Sequence, residues 1–177
     1  MLRGEKIGLR ARQPSDVAVL HAEVYDDAAT QVRAAGGPWR PVSPGSDAMP
    51  FRVVEPSDDA AVFSVVQLSD GELAGSASLW GIDSHNRRGH IGLSMLPAAR
   101  GRGLGTDVVR TLCHYGFAVR SLHRLQIETL ADNMAMIRAA TAAGFVLEGT
   151  LRAAAWIMGE FADEVVYGLL AEDWHAA

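Results

Sequence analysis

Cysteine is almost absent from this chain: Cys113 is the only one among 177 residues. That excludes a disulfide framework and any multi-cysteine metal site. Cys113 itself falls inside a helical pattern, where a small buried apolar residue is the natural reading and a nucleophile is not. No run of eighteen or so apolar residues occurs, so hydropathy offers no membrane-spanning helix. The opening residues Met1-Leu2-Arg3-Gly4-Glu5-Lys6 lack the apolar core of a secretion signal, and a cytoplasmic location is expected. Positive charge is in short supply as well: 16 Lys and Arg face 21 Asp and Glu, a formal net charge of −5. This argues against nucleic acid as the main partner. It serves solubility and is compatible with a cationic or amine substrate. His21, His85, His114, His123 and His175 show no metal-ligand spacing, and no metal is expected.

What is present is 49% hydrophobic and 21% charged, a globular composition. The length suits one domain across residues 1–177 and is too short for two ordinary ones.

The pattern along the chain predicts strand, helix, three-stranded meander, helix, strand, helix and hairpin. Lys6 to Gln13 alternate weakly and read as a first strand. Pro14-Ser15-Asp16 then opens a helix, with Ser15 as a plausible N-cap and Val17, Leu20, Val24 and Ala28 as its buried stripe. Gly36 to Pro50 holds four prolines and three glycines. It is either a lid over an acceptor site or a surface connection with Trp39 pinned to the core. Ala61 to Leu68, Glu72 to Ile82 and His90 to Leu96 are strand-like runs separated by polar turns. From Leu104 the period becomes helical, with Val108, Leu112, Tyr115 and Val119 on one face and an end near Arg120. Arg124 to Leu130 reads as a strand. Asn133 can cap a second helix carrying Met136, Ile137, Ala140 and Ala143, and Gly144 supplies its left-handed end. Two strands, about Val146 to Arg152 and Glu164 to Leu170, flank a turn near Gly159. Such an order predicts an α/β (α+β) fold with a mixed sheet covered by helices.

Between a strand and a helix lies Arg100-Gly101-Arg102-Gly103-Leu104-Gly105-Thr106. Glycines permit close backbone approach to phosphate oxygens, and the first-turn N–H groups and helix dipole attract an anion. Arg100 and Arg102 add fixed positive charge. The ATP-type loop needs Gly-Lys followed by Ser or Thr, which is missing. A dinucleotide fingerprint needs glycine at Thr106, so that reading fails too.

The Arg-x-x-Gly-x-Gly turn after a strand resembles the acyl-coenzyme A turn of the GNAT superfamily of N-acetyltransferases. Asn133-x-x-Met136-Ile137 followed by Gly144-Phe145 is similar to that family's Asn-x-x-Ala/Ser-Ile and Gly-Phe segment. Leu122 to Leu125, Gly149 to Arg152, and the run from Asp163 through Tyr167 to Trp174 resemble the branch containing the ribosomal-protein N-terminal (RimJ/RimL-type) acetyltransferases. The likeness spans roughly Ile7 to Trp174. It implies a mixed, mostly antiparallel sheet of about seven strands, splayed at the acyl-coenzyme A site. It implies acetyl-CoA as co-substrate and an amine acceptor, either a protein N-terminus or a small molecule such as an antibiotic or polyamine. A homodimer is compatible with it, and neither nucleic acid nor membrane is implied as a partner. By resemblance the coenzyme lies on Met95, Leu96 and Pro97, on Arg100, Gly101, Arg102, Gly103, Leu104, Gly105 and Thr106, and near Asn133 and Met136.

Acyl transfer to an amine needs a proton acceptor, a donor to the oxyanion, and an outlet for the thiolate. Strand alternation puts His90, Gly92 and Ser94 on one face. His90 stands where many relatives of the resembled family carry a glutamate base, and an imidazole titrates in the useful range. It could instead be a strand-end histidine beside Arg87-Arg88. Glu128 is the second candidate, as base or as the group orienting His90, and Ser94 is the third candidate on this face. The family's tyrosine acid is replaced here by Ala140, and the branch's serine by Met136. Tyr167 is a fallback acid whose position also suits packing. The competing readings are a non-catalytic coenzyme A sensor, motivated by those two departures, and transfer of a bulkier acyl group such as succinyl.

Overall fold

The computed structural model describes residues 1–174, so His175 lies outside the described residues. Its strands are β1 (Leu2–Arg3), β2 (Ile7–Arg10), β3 (Ala61–Gln67), β4 (Leu73–Asp83), β5 (Arg88–Met95), β6 (Arg124–Leu130), β7 (Val146–Ile157) and β8 (Glu160–Leu170). They form one mixed sheet in the order β1-β2-β3-β4-β5-β6-β8-β7. The sheet has eight strands where about seven were expected, because the two-residue β1 is too short to show a period. The final hairpin is also longer than its apolar pattern: β7 reaches Ile157 and β8 begins at Glu160. Its tip carries Trp156 and Phe161, edge to face at 4.8 Å and both exposed.

Every neighbouring pair is antiparallel except β5 and β6. Those two run parallel for three residue pairs, Arg88 with Arg124, Gly89 with Leu125, and His90 with Gln126. Beyond them the strands part. β5 stays paired with β4 as far as Met95, and β6 stays paired with β8 as far as Leu130. The open edge of β5 therefore turns alternate N–H and C=O groups into a gap with no strand opposite.

Helices close the two faces. α1 (Pro14–Leu20) starts two residues earlier than the Ser15 cap expected: Gln13 is the N-cap, and Asp16 reaches back to accept its N–H at 2.8 Å. Proline at the first helical position makes this favourable, since its missing N–H would have no partner there. Asp16 also accepts from both terminal nitrogens of Arg10 (2.7 and 2.8 Å) and from the Ser64 hydroxyl (2.7 Å). Burial alone would raise this carboxyl, but those hydrogen bonds outweigh it and hold it at about 2. α1 continues as a wider turn from His21 to Tyr25. α2 (Ala28–Ala35) follows, capped by Asp27. No apolar stripe announces α2; its one fully buried residue is Gln31.

Residues 36–60 form no regular element. Trp39 donates to the Tyr25 carbonyl (2.9 Å), Tyr25 donates to Arg40 (2.8 Å), and His21 donates to Val42 (2.7 Å). With Met49 and Phe51 buried, the segment is a strap pinned across α1 and α2.

On the opposite face, α3 (Leu104–His114, continuing in a wider turn to Val119) packs Val108, Val109 and Leu112 into the core at essentially zero exposure. α4 (Met134–Ala142) lies beside it, tied by Arg110 donating to the Ala142 carbonyl at 3.1 Å. Cys113 is fully buried, and burial pushes its thiol up to about 12, so it is inert. No helix is long and apolar enough to cross a membrane among the described residues.

Asp107, buried on α3, accepts three backbone N–H groups: Glu5 (3.0 Å), Lys6 (2.7 Å) and Ile7 (3.0 Å). It fastens α3 to the start of β2. Asp107→Ala strands those donors and is expected to cost ~3 kcal/mol. Thermal unfolding should then shift down by roughly 6 to 12 °C; an unchanged melting temperature would refute this role.

Candidate functional site

The parting of β5 and β6 opens a cleft of about 590 Å3. Its walls come from β5 (Ser94 and Met95), the turn before α3 (Arg100 and Gly105), β6 (Glu128) and the start of α4 (Asn133). One end reaches the α3 and α4 face, the other the α2 face and the long hairpin, so the cleft passes through the sheet. Residues of α2 (Thr30, Arg33) and of the hairpin (Ile157, Glu164) line it as well. Neither set was picked out from sequence. α2 has no apolar period to detect, Ile157 lies in the extra length of the hairpin, and Glu164 begins the expected last strand but carried no site signal.

At the α3 end the backbone is built for an anion. Gly101 and Gly103 hold φ of 72° and 76°, the left-handed region that favours glycine. A Cβ at either would meet open space, so their conformation is what demands glycine here. Gly103 is also the N-cap of α3, and no side chain caps this helix. Leu104, Gly105 and Thr106 thus begin the helix with free N–H groups facing outward. Arg100 is exposed and anchored by its Nε donating to the Met95 carbonyl at 3.0 Å, and Arg102 is exposed alongside. Together these groups fit a pyrophosphate.

The other expected coenzyme residues divide by geometry. Met95, Arg100, Gly105, Asn133 and Met136 line the cleft. The side chains of Leu96 and Leu104 instead point into the core, at 5% and 4% exposure. The Leu96 N–H is already donated to Ala74 at 2.9 Å, and Pro97 has no N–H to give. Asn133 ties α4 to β6: its side-chain oxygen accepts from Met136 (3.3 Å) and its nitrogen donates one of its two hydrogens to Thr129 of β6 (2.9 Å).

The two titratable candidates meet. His90 Nδ1 lies 3.7 Å from Glu128 Oε1, too far for a hydrogen bond. Glu128, 40% exposed at its side chain, lines the cleft and accepts from Gln126. His90 sits behind it, stacked on Trp80 with ring centroids 4.6 Å apart, and its Nδ1 is buried without a partner. The expected order of the pair is therefore reversed: the carboxylate faces the cleft, and the imidazole does not. Burial pushes the His90 imidazole below its usual value, Glu128 pulls it up, and Arg88 and Arg124 push it down. Ser94 lines the cleft. Tyr167 is buried with the core, and Ala140 is fully buried, so neither the fallback acid nor the family position supplies one. No cluster of three or more His, Cys, Asp or Glu suits a metal ion among the described residues.

Residues 6–146 match the family model described as "Acetyltransferase (GNAT) domain". The chain belongs to the GNAT acetyltransferase family. Within that family it is 33% identical over 104 residues to "Putative ribosomal N-acetyltransferase YdaF" of Bacillus subtilis (strain 168), covering 59% of this chain and 57% of that protein. It is 30% identical over 95 residues to the spermidine N(1)-acetyltransferase of Escherichia coli (strain K12), covering 54% and 51%. The GNAT chain thus spans little more than half the length of these relatives. Among solved structures, the fold matches spermidine N-acetyltransferase from Vibrio cholerae in complex with CoA and spermine, with a TM-score of 0.83, 18% identity, and 94% and 96% of the two chains covered. Another structure of that protein, described as dodecameric, matches with a TM-score of 0.71 at 18% identity over 94% of each chain.

The His90 geometry makes a direct prediction. Its imidazole should titrate below 6.5 by NMR. Glu128→Gln should move that midpoint lower still, because the carboxylate is the neighbour that favours the charged ring. A midpoint above 6.5, or an upward move in the variant, would contradict the arrangement.

Proposed function

We propose that this GNAT domain is an acetyl-CoA-dependent N-acetyltransferase that moves an acetyl group onto a primary amine. The observation that carries this reading is the through-sheet cleft, which joins the uncapped start of α3 to the Glu128 carboxylate. Acetyl-CoA, when bound, supplies the thioester. The N–H groups of Leu104, Gly105 and Thr106, with Arg100 and Arg102, hold its pyrophosphate. The unpaired edge of β5 between Ile91 and Met95 offers N–H groups to the pantetheine amides and the acetyl carbonyl.

Glu128 accepts the proton of the incoming amine, directly or through water. The amine nitrogen then bonds to the carbonyl carbon as the carbon–sulfur bond breaks, and the thiolate leaves. With Ala140 and Met136 at the family's acid positions and Tyr167 buried, solvent protonates that thiolate. His90 acts as a positioning residue: its ring stacks on Trp80 beside Glu128, and burial favours its neutral form. The acceptor is a protein N-terminus or a small amine; the sequence relatives above carry names that refer to a ribosomal acceptor and to spermidine.

Release of free thiol from acetyl-CoA in the presence of an amine panel tests the reading. Tight coenzyme A binding with no release for any amine would favour a coenzyme-binding module instead. Gly103→Val is expected to weaken coenzyme A binding roughly tenfold or more, since a branched side chain resists the φ of 76°; calorimetry that finds affinity within a few-fold of wild type would reject that. Glu128→Gln should lower kcat by roughly a hundredfold with little change in coenzyme affinity. A wild-type kcat across pH 6 to 9 would remove Glu128 as the base.

A further inference from the structure

A second hollow of about 280 Å3 adjoins the cleft, and the two share Ala34, Gly92, Leu93 and Ser94. Its further walls include Gln31 of α2, Phe51 of the strap, and Ser76, Ser78 and Trp80 of β4. None of the described residues lining it carries a charge. By contrast, the cleft beside it has Glu128 and Glu164 in its wall. An amine that reaches Glu128 therefore places whatever it is attached to within reach of an uncharged hollow.

Charge lies one layer behind that wall. Arg12 is only 8% exposed. Its Nη2 donates to the Phe63 carbonyl at 3.0 Å and to the Ser76 hydroxyl, and its guanidinium lies over the Phe51 ring at 5.7 Å from the centroid. Nε and Nη1 are buried without partners. The nearby Asp16 carboxylate is already gripped by Arg10 through both oxygens, so it neutralises only one of the two arginines. Burial pulls Arg12 down to about 10, against the pull of Asp16, and it stays cationic at neutral pH.

Two wall groups transmit this to the hollow. Ser76, itself 7% exposed, accepts from Arg12, so its own proton is left to donate. Gln31 is 6% exposed, and its side-chain oxygen has no partner. Such a hollow offers hydroxyls of Ser76, Ser78 and Ser94, the Trp80 indole N–H and the Gln31 oxygen in front of a buried cation. A neutral amide can use both donors and acceptors of this kind. A second ammonium meets a like charge behind Ser76 and no carboxylate in the wall to offset its desolvation.

We propose that Arg12, acting through Ser76, is a specificity-determining residue, and that with Gln31 it selects acceptors whose reacting amine is followed by a neutral carbonyl-bearing group over acceptors carrying a second ammonium. This rests on the transferase reading above. Arg12 is a positioning residue in this arrangement, since Ser76 and Gln31 make the contact.

A matched pair of acceptors tests it: β-alaninamide and 1,3-diaminopropane share a skeleton and differ by a carbonyl replaced with CH2. Wild-type protein should show kcat/KM higher for the amide by about tenfold or more, the size of one charge-sensitive contact, with spermidine also disfavoured. Arg12→Met and Ser76→Ala should each compress that ratio several-fold, mainly through KM, while coenzyme A affinity stays at the wild-type value. A diamine or spermidine turned over as well as the amide overturns the selectivity and leaves the transferase reading standing. An unchanged ratio in folded Arg12→Met and Ser76→Ala overturns the role of the pair. Coenzyme binding without thiol release for any amine overturns the transferase reading, and this inference with it. If Arg12→Met fails to fold, the wild-type ratio and Ser76→Ala still decide.

Discussion

Three residue pairs hold the two halves of the sheet together. Where β5 and β6 run side by side from Arg88 to His90 and from Arg124 to Gln126, the sheet is continuous; past that point it splits. A strand that leaves its neighbour exposes backbone donors and acceptors that must find partners elsewhere. Here the open β5 edge faces a cleft, and the separation is kept by helices rather than by sheet pairing. α3 is packed by Val108, Val109 and Leu112 and fastened to β2 through Asp107. α4 is capped by Asn133, whose side chain also holds Thr129 of β6. The gap is thus a built feature, and each functional group of the domain is placed with respect to it.

Charge is arranged around the gap with opposite sign at its two ends. The start of α3 presents free N–H groups and two exposed arginines, an electropositive end suited to phosphate. The hairpin end presents Glu128 and Glu164, while Arg33 of α2 is paired with Asp132. In the proposed reaction a phosphate-bearing donor and an amine acceptor enter by different mouths of one passage. The buried charges differ in how they are satisfied. Asp107 has three backbone donors, and Asp16 has a two-pronged arginine, a backbone N–H and a serine. Arg12 has only a carbonyl and a hydroxyl. A cation left short of partners in the wall of a hollow influences what that hollow can bind, whereas a saturated carboxylate is spent on the fold.

Much of the fold was legible because its elements carry strong local signals. The alternation from Ala61 to Leu96 marks the meander, and the turn of period at Leu104 marks α3. Asn133 and Gly144 bracket α4, with Gly144 at φ 95° just past its end. α2 was missed for the opposite reason. Its one buried residue is Gln31, with Ala28 and Val32 half-buried, so no hydrophobic period distinguishes it from a loop. The hairpin was cut short because its outer half is mostly exposed, with Ala155 the one buried residue there, and exposed strands such as the one through Trp156 lack a fixed alternation. The glycine-rich turn was readable to the level of an anion site, since positive-φ glycines before a helix impose that geometry locally.

Sequence alone therefore determined the family, most of the sheet-and-helix order and the anion-binding geometry of the turn before α3, all of which rest on short-range spacing. Tertiary structure decided the rest. Whether His90 or Glu128 faces the cleft depends on how Trp80 stacks, a contact between strands that strand alternation cannot resolve. The Arg12, Ser76 and Gln31 grouping joins residues from three separate stretches of the chain, and no local pattern links them. Side chains distant in sequence acquire a shared chemistry only when packing removes them from water together, and that is where the proposed acceptor end of this site is built.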